Sequence, residues 1–166
     1  MRPLSLLFLL LSLSCISMAQ IKEEWFPSWL NIRPFEANML EPKAGFSYMS
    51  NNMLRLDIST SQDFYKKESA NTAFSFGGDL FTFTRLRSEK DFKFPVETID
   101  YLFGFNTGYK VLNKNDEYGF RLRLSHISAH FVDGKYNFSI QNWSDGDMPR
   151  VYSREFLEFM PYSRYL

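Results

Sequence analysis

The chain has 166 residues, and its 19 lysines and arginines equal its 19 aspartates and glutamates. This balance leaves no basic surface of the kind that attracts nucleic acid, so nucleic-acid binding is not expected. Aromatic residues make up 18% of the sequence, although the mean hydropathy is negative. Alternating strands reconcile these two facts, because each strand concentrates its apolar side chains on one face.

Residues 1–19 have the features of a cleaved export signal. Arg2 gives a positive start, Leu4–Leu13 is an apolar run too short to span a bilayer, and Ser17–Ala19 is a small-residue cleavage pattern. The alternatives are a retained membrane helix or a lipoprotein acylated at Cys15. In each case the chain leaves the cytosol. Cys15 is the only cysteine, so the mature chain cannot depend on a disulfide.

Residues 20–43 predict an irregular lead-in with a short helical turn. The segment contains three prolines and has no clean hydrophobic period. A disordered linker is the alternative, but Trp25, Phe26, Trp29 and Leu30 favour burial or an interface.

The clearest predicted element is a hairpin of Thr98–Val111 and Tyr118–Phe131, joined by a polar turn. On the first strand, aromatic residues such as Phe103 and Phe105 alternate with glycine and polar residues. On the second strand the two faces separate completely: Phe120, Leu122 and Leu124 oppose Arg121, Arg123 and Ser125. This division is typical of the lipid and lumen faces of an outer-membrane barrel.

Four further segments show the same alternation, and we predict strands at Ala44–Ser50, Met53–Thr60, Thr72–Arg87 and Val151–Tyr165. We expect Ser61–Asn71 to be a long connection. The predicted fold is all-β, an antiparallel outer-membrane-type β-barrel over residues 44–166. A soluble sandwich or a lipocalin-like barrel is the alternative. The longest predicted strands have about fourteen residues, whereas strands in globular proteins usually have about five or six. This length favours a membrane barrel over a soluble fold.

The number of predicted strands is too small for a closed membrane barrel. Six candidate strands fall short of the minimum of about eight. The sequence also reaches Leu166 while strand-like alternation continues. We therefore expect an incomplete, N-terminal part of a barrel, and the alternative is a barrel assembled from several chains.

Three polar residues stand on the apolar side of the second hairpin strand. His126, Ser128 and His130 lie two residues apart and share the parity of Leu122 and Leu124. Burying such groups in hydrocarbon without partners costs on the order of several kcal/mol each. This polar trio therefore indicates either a functional site or a structural polar cluster.

The functional interpretation is acyl transfer, with Ser128 as nucleophile, His126 as base and Glu155 as the group that orients the base. Glu155 shares its face with Val151 on the neighbouring predicted strand. The arrangement resembles outer-membrane phospholipase A and the lipid A deacylase of the outer membrane, which carry His-x-Ser on a lipid-facing strand. In those enzymes the third member follows about a dozen residues later, where this chain has Ile140.

The structural interpretation needs no catalysis. A bulge near Ser125 would turn the trio toward the polar side of the strand, or the strand would rise out of the hydrocarbon there and place the trio in the headgroup zone. The trio would then form a polar cluster of hydrogen-bonded pairs: His130 with Asp133, and His126 with Glu155 or Arg154. Two histidines without a firm third ligand make a weak metal site, so no metal or cofactor is expected.

Several motifs resemble a known bacterial family. The run LSHISAHFVDG is similar to the His-x-Ser-Ser/Ala-His strand of the domain-of-unknown-function 1207 family, and RVYSREFLEF resembles its Tyr-x-Arg-Glu/Asp strand. ETIDYLFGFNTGYK and FEANMLEPK also look like segments of that family, so the likeness extends from about Phe35 to the C-terminus. The resemblance implies an exported outer-membrane barrel that is longer than this chain and has no assigned activity.

The expected function is that of a bacterial outer-membrane barrel with a structural or binding role, in contact with membrane lipids. The alternatives are a lipid acyl hydrolase and a small pore. Gly104, Gly108 and Gly119 leave room inside for a pore, whereas Arg121 and Arg123 would fill it.

Overall fold

The computed structural model describes residues 21–41, 44–146 and 148–166. Within them the protein is all-β, with short 3-10 helices only in the connections. The strands are β1 (Lys22–Trp25), β2 (Gly45–Met49), β3 (Met53–Glu68), β4 (Thr72–Arg87), β5 (Val96–Asn113), β6 (Asp116–Phe131), β7 (Tyr136–Asn137), β8 (Asn142–Trp143) and β9 (Val151–Tyr165). The predicted export signal lies outside the described residues.

The predicted antiparallel fold is confirmed. One seven-stranded sheet has the order β1-β3-β4-β5-β6-β9, with β2 also paired to β3, and a small separate sheet joins β7 and β8. The predicted hairpin is the pair β5 and β6, and the bounds of β4 and β9 match the prediction. Within the described residues the large sheet does not close on itself, because neither the outer edge of β9 nor the β1–β2 edge has a strand partner.

One prediction in the first half of the chain was wrong, and one was incomplete. The lead-in is mostly irregular, with hydrogen-bonded turns at residues 35–38 and 38–41, but Lys22–Trp25 is a strand that pairs with the end of β3. The wrong prediction is the long connection from Ser61, because this stretch is strand as far as Glu68 and stays paired with β4. A register shift between Asp63 and Tyr65 accommodates one extra residue and packs Phe64 on the outside of the sheet.

Alternation along the long strands gives the sheet two different faces. The outer face is apolar and aromatic, and includes Phe74, Phe76, Leu80, Tyr101, Phe103, Phe105, Tyr109, Leu122, Leu124, Leu157 and Phe159. The inner face carries buried polar groups, among them Asp63, Ser75, Asp79, Asn106, Arg121, Arg123 and Ser125. The sheet therefore buries its polar side and exposes its apolar side.

The chain between β1 and β2 covers the inner face. Both strands pair with β3 on the same edge, so residues 26–41, which we call the inner segment, leave the sheet and lie across it. The Asn31 amide donates to Asp63 Oδ2 at 2.6 Å, and Lys110 Nζ donates to the Asn31 carbonyl at 2.9 Å. Farther along, Glu41 forms an ion pair with Arg121.

The connections divide the molecule into two ends. Residues 69–71 and 114–115 are short turns at one end, which we call the short-turn end. Residues 88–95 and 132–150 are longer and contain the 3-10 helices Lys90–Phe92, Asp133–Lys135 and Ser144–Gly146. These connections define the long-loop end, where the tight turn of residues 50–52 also lies.

Candidate functional site

The polar trio lies on the outer face near the long-loop end. No register shift interrupts the pairing of β6 with β5 or with β9, so the bulge near Ser125 is absent. His126, Ser128 and His130 thus keep the parity of Leu124 and remain on the apolar side. The residues opposite them on the outer face are Phe103, Tyr101 and Ile99 on β5, and Glu155, Ser153 and Val151 on β9.

The strand register brings His126 and Glu155 into direct contact. The two residues are Cα partners on β6 and β9, and His126 Nδ1 lies 2.8 Å from Glu155 Oε1. The ring of Phe103 packs against the other side of His126, with centroids 5.0 Å apart. The imidazole is therefore held between a carboxylate and an aromatic ring, with Nδ1 engaged by Glu155.

Ser128 is the most enclosed member of the trio. It retains 8% of its exposure, between Tyr101 on one neighbouring strand and Ser153 on the other. Among the described residues no hydrogen bond joins Ser128 to His126 or His130. Residues two apart on a strand are separated by roughly 6.6 Å, so the hydroxyl and the imidazole must turn toward each other to make contact.

The structure describes two further members of the predicted polar cluster, His130 and Arg154, and places them on opposite faces of the sheet. The imidazole of His130 packs edge-on against Tyr101, with ring centroids 5.8 Å apart. Arg154 lies on the opposite face, where its guanidinium stacks over Phe156 at 5.4 Å. Asp133 opens the 3-10 helix after β6, and its side chain is outside the described part of the structure.

A second polar cluster lies on the inner face, around the two arginines that we expected to fill the interior. Arg123 is fully buried and bonds Glu158 Oε2 through Nε at 2.7 Å and through Nη2 at 2.6 Å. Arg121 pairs with Glu41, which arrives from the inner segment. Asp79 accepts from Asn106 Nδ2 at 2.9 Å, close to Arg123.

Sequence reasoning missed Glu41 as a partner of these arginines. The contact joins residues far apart in the chain, and hydrophobic periodicity does not report such contacts. The available signal was chemical: Arg121 and Arg123 alternate with leucines on a strand and need buried carboxylates. The lead-in supplies two acidic residues within its run FEANMLE.

Comparisons with protein-family models, with curated proteins and with solved structures find no match. The likeness to the domain-of-unknown-function family therefore stays a prediction that rests on the quoted motifs. Within residues 21–41, 44–146 and 148–166, no helix is long and apolar enough to cross a membrane. In the same part of the chain, no group of three histidine, cysteine or carboxylate side chains could hold a metal ion.

Proposed function

We propose that this chain forms part of the wall of a bacterial outer-membrane β-barrel and that its outer face contacts membrane lipids. The observation that carries the proposal is the sidedness of the sheet. On β6 and β9, Arg123 is 0% exposed, whereas Leu124 is 57% and Phe159 is 63% exposed. In water this arrangement is unfavourable, because burying a large apolar side chain stabilises a fold by about 1.5–3 kcal/mol. In a bilayer the same arrangement is favourable.

The soluble alternative requires the opposite sidedness. A sandwich or lipocalin-like barrel encloses its apolar face and exposes its charges. Here the enclosed face contains Arg121, Arg123, Asp79 and Asn106, and the inner segment covers it. Apart from the tight turn of residues 50–52, the short-turn and long-loop ends also follow the pattern of outer-membrane barrels, whose longer loops are extracellular. The polar trio would then lie toward the outer leaflet.

Cell fractionation tests this proposal. The full chain, expressed with its own N-terminus in a Gram-negative host, is expected in the outer-membrane fraction. A folded barrel wall should also change its electrophoretic mobility on boiling, because sodium dodecyl sulfate does not unfold it in the cold. Recovery of folded protein in the soluble periplasmic fraction would contradict the proposal.

The contact between His126 and Glu155 favours a second candidate function, hydrolysis of a lipid ester. A carboxylate on Nδ1 leaves Nε2 of His126 available as the base, which is the arrangement of a catalytic triad. Ser128 Oγ would attack the ester carbonyl while His126 takes its proton. The carbon–oxygen bond to the lipid then breaks, and that proton passes to the leaving oxygen. Water releases the acyl group from Ser128 in the second step.

Mass spectrometry of outer-membrane lipids tests the hydrolase. Cells that express the full chain should lose an acyl chain from lipid A or phospholipid, and Ser128→Ala should abolish the loss. Glu155→Gln should reduce the rate by about a hundredfold or more, since it removes the carboxylate that orients the base. Arg154→Gln is the matched control, because Arg154 lies next to Glu155 but on the other face. Unchanged lipids with the wild-type chain would leave the trio a structural role.

The pore alternative is less favoured, because the inner segment lies across the inner face of the sheet. The inner segment crosses the sheet from β3 to β9, and Phe35 packs on Tyr162 with ring centroids 5.6 Å apart. Ile32 occupies the space beside Gly108, where an added Cβ would lie 2.7 Å from Ile32 Cδ1. The space beside Gly108 is thus occupied by the inner segment.

A further inference from the structure

The outer face contains one groove within its aromatic surface. Gly78 forms the floor, and Phe64, Leu80, Phe103 and Phe105 form the sides of a cavity of about 300 Å³. The groove depends on the absence of a side chain at the floor. A Cβ on Gly78 would lie 2.8 Å from Cζ and 3.3 Å from Cε2 of Phe64, so a larger residue would fill the space.

Most of the lining of the groove is apolar, and its polar members are Thr60, Gln62 and Asp79, whose carboxylate accepts from Ser61 and Asn106. Gln62 lies at the rim, but its amide donates to the Pro27 carbonyl and to the Asp63 carbonyl, each at 2.9 Å. The amide group is therefore engaged with the backbone and is not available to a ligand. The apolar side chains that form the sides of the groove therefore favour a hydrocarbon ligand.

The groove is continuous with the polar trio. Phe103 forms one side of the groove and also packs against His126, with ring centroids 5.0 Å apart. Gly78 is level with Leu124 in the strand register, so Ser128 lies two strands across and four residues along from the floor. Sheet geometry makes that separation roughly 16 Å, a distance that an extended fatty acyl chain spans.

From this continuity we infer that the groove binds one acyl chain of a membrane lipid whose ester or headgroup lies at His126 and Ser128. The inference rests on the proposed lipid contact of the outer face. The groove would select the lipid by its acyl chain, while the polar trio contacts the ester or headgroup of the same lipid. Ser128 chemistry is not required for the binding itself.

Photolabelling tests the inference. The full chain is placed in phosphatidylethanolamine vesicles that contain a phosphatidylethanolamine with a diazirine in one acyl chain, and labelled peptides are identified by mass spectrometry. Labelling should be several-fold stronger at Phe105 than at Phe159, an equally exposed outer-face aromatic on β9. Gly78→Leu should remove this excess, and Leu80→Trp, which narrows the groove from the side, should do the same.

Two controls separate this inference from the proposed function. Gly45→Leu makes the same change where an added Cβ meets nothing within 4 Å, and should keep the excess labelling at Phe105. Arg154→Gln, which changes a residue on the opposite face of β9, should also keep it. Equal labelling at Phe105 and Phe159, unaffected by Gly78→Leu, would overturn the groove while leaving lipid contact intact. Absence of labelling at both positions would overturn the lipid contact as well.

Discussion

Arg121 and Arg123 place two positive charges in the most enclosed part of the molecule. Arg123 contacts Glu158, and it also lies 3.7 Å from Glu41 and 3.9 Å from Asp79. Arg121 has Glu41 as its carboxylate partner among the described residues. A buried charge is costly unless it is paired, so this network links the position of the inner segment to the stability of the sheet.

Removing Glu41 should therefore destabilise the whole fold. We expect Glu41→Ala to lower the free energy of unfolding by about 3–5 kcal/mol, because Arg121 is left buried without a carboxylate. Urea unfolding of the full chain in detergent micelles measures the change. Glu23→Ala removes the exposed ion pair with Lys67 and should have no measurable effect. If the two variants lost the same free energy of unfolding, the ion pair between Arg121 and Glu41 would not stabilise the fold.

At the scale of single elements, the sequence predicts strands well where apolar and polar residues alternate strictly. The hairpin of β5 and β6 is such a case, since Leu122 and Leu124 alternate with two arginines. The second half of β3 is not, because Phe64 and Tyr65 follow one another and interrupt the period. A bulge absorbs the extra residue, and a period-two pattern cannot anticipate it.

The candidate site divides in the same way between predictable and unpredictable parts. The alternation of side chains along the strands correctly placed Glu155 beside His126, because the pairing between β6 and β9 has no register shift. The same parity shows why Arg154 faces away from them. The inner segment was not predictable, since its path depends on contacts with Asp63 and Arg121 that are distant in the chain.

The packing of β5 on β6 yields a prediction at the level of these two strands. An added Cβ on Gly104 would lie 2.1 Å from the Leu124 carbonyl oxygen and 2.9 Å from Ser125 Cα, both in the backbone of β6. Because no flexible side chain can move aside, we expect Gly104→Ala to cost about 3 kcal/mol of unfolding free energy. Gly45→Ala, where the added atom meets nothing, is the control for the same urea measurement. A negligible loss at Gly104 would contradict the packing described for the two strands.

For the molecule as a whole, the two faces of the sheet differ in polarity, so each is stable in a different environment. The outer face has aromatic and aliphatic groups from β4, β5, β6 and β9, and the inner face holds paired charges under residues 26–41. The bilayer contact that we propose would satisfy both faces, because the outer face would meet hydrocarbon. The proposed location, the proposed groove and the candidate hydrolase all depend on this point.

Spin labels along β6 test the sidedness most directly. The sequence has no cysteine after residue 15, so single cysteines at residues 120 to 125 can each carry one nitroxide. In lipid vesicles, labels at Phe120, Leu122 and Leu124 should be relaxed by oxygen, which concentrates in hydrocarbon, and be protected from a water-soluble nickel complex. Labels at Arg121 and Arg123 should be protected from oxygen. If oxygen instead relaxed the labels at Arg121 and Arg123, or if the nickel complex reached those at Leu122 and Leu124, the proposal that the outer face contacts lipid would be contradicted.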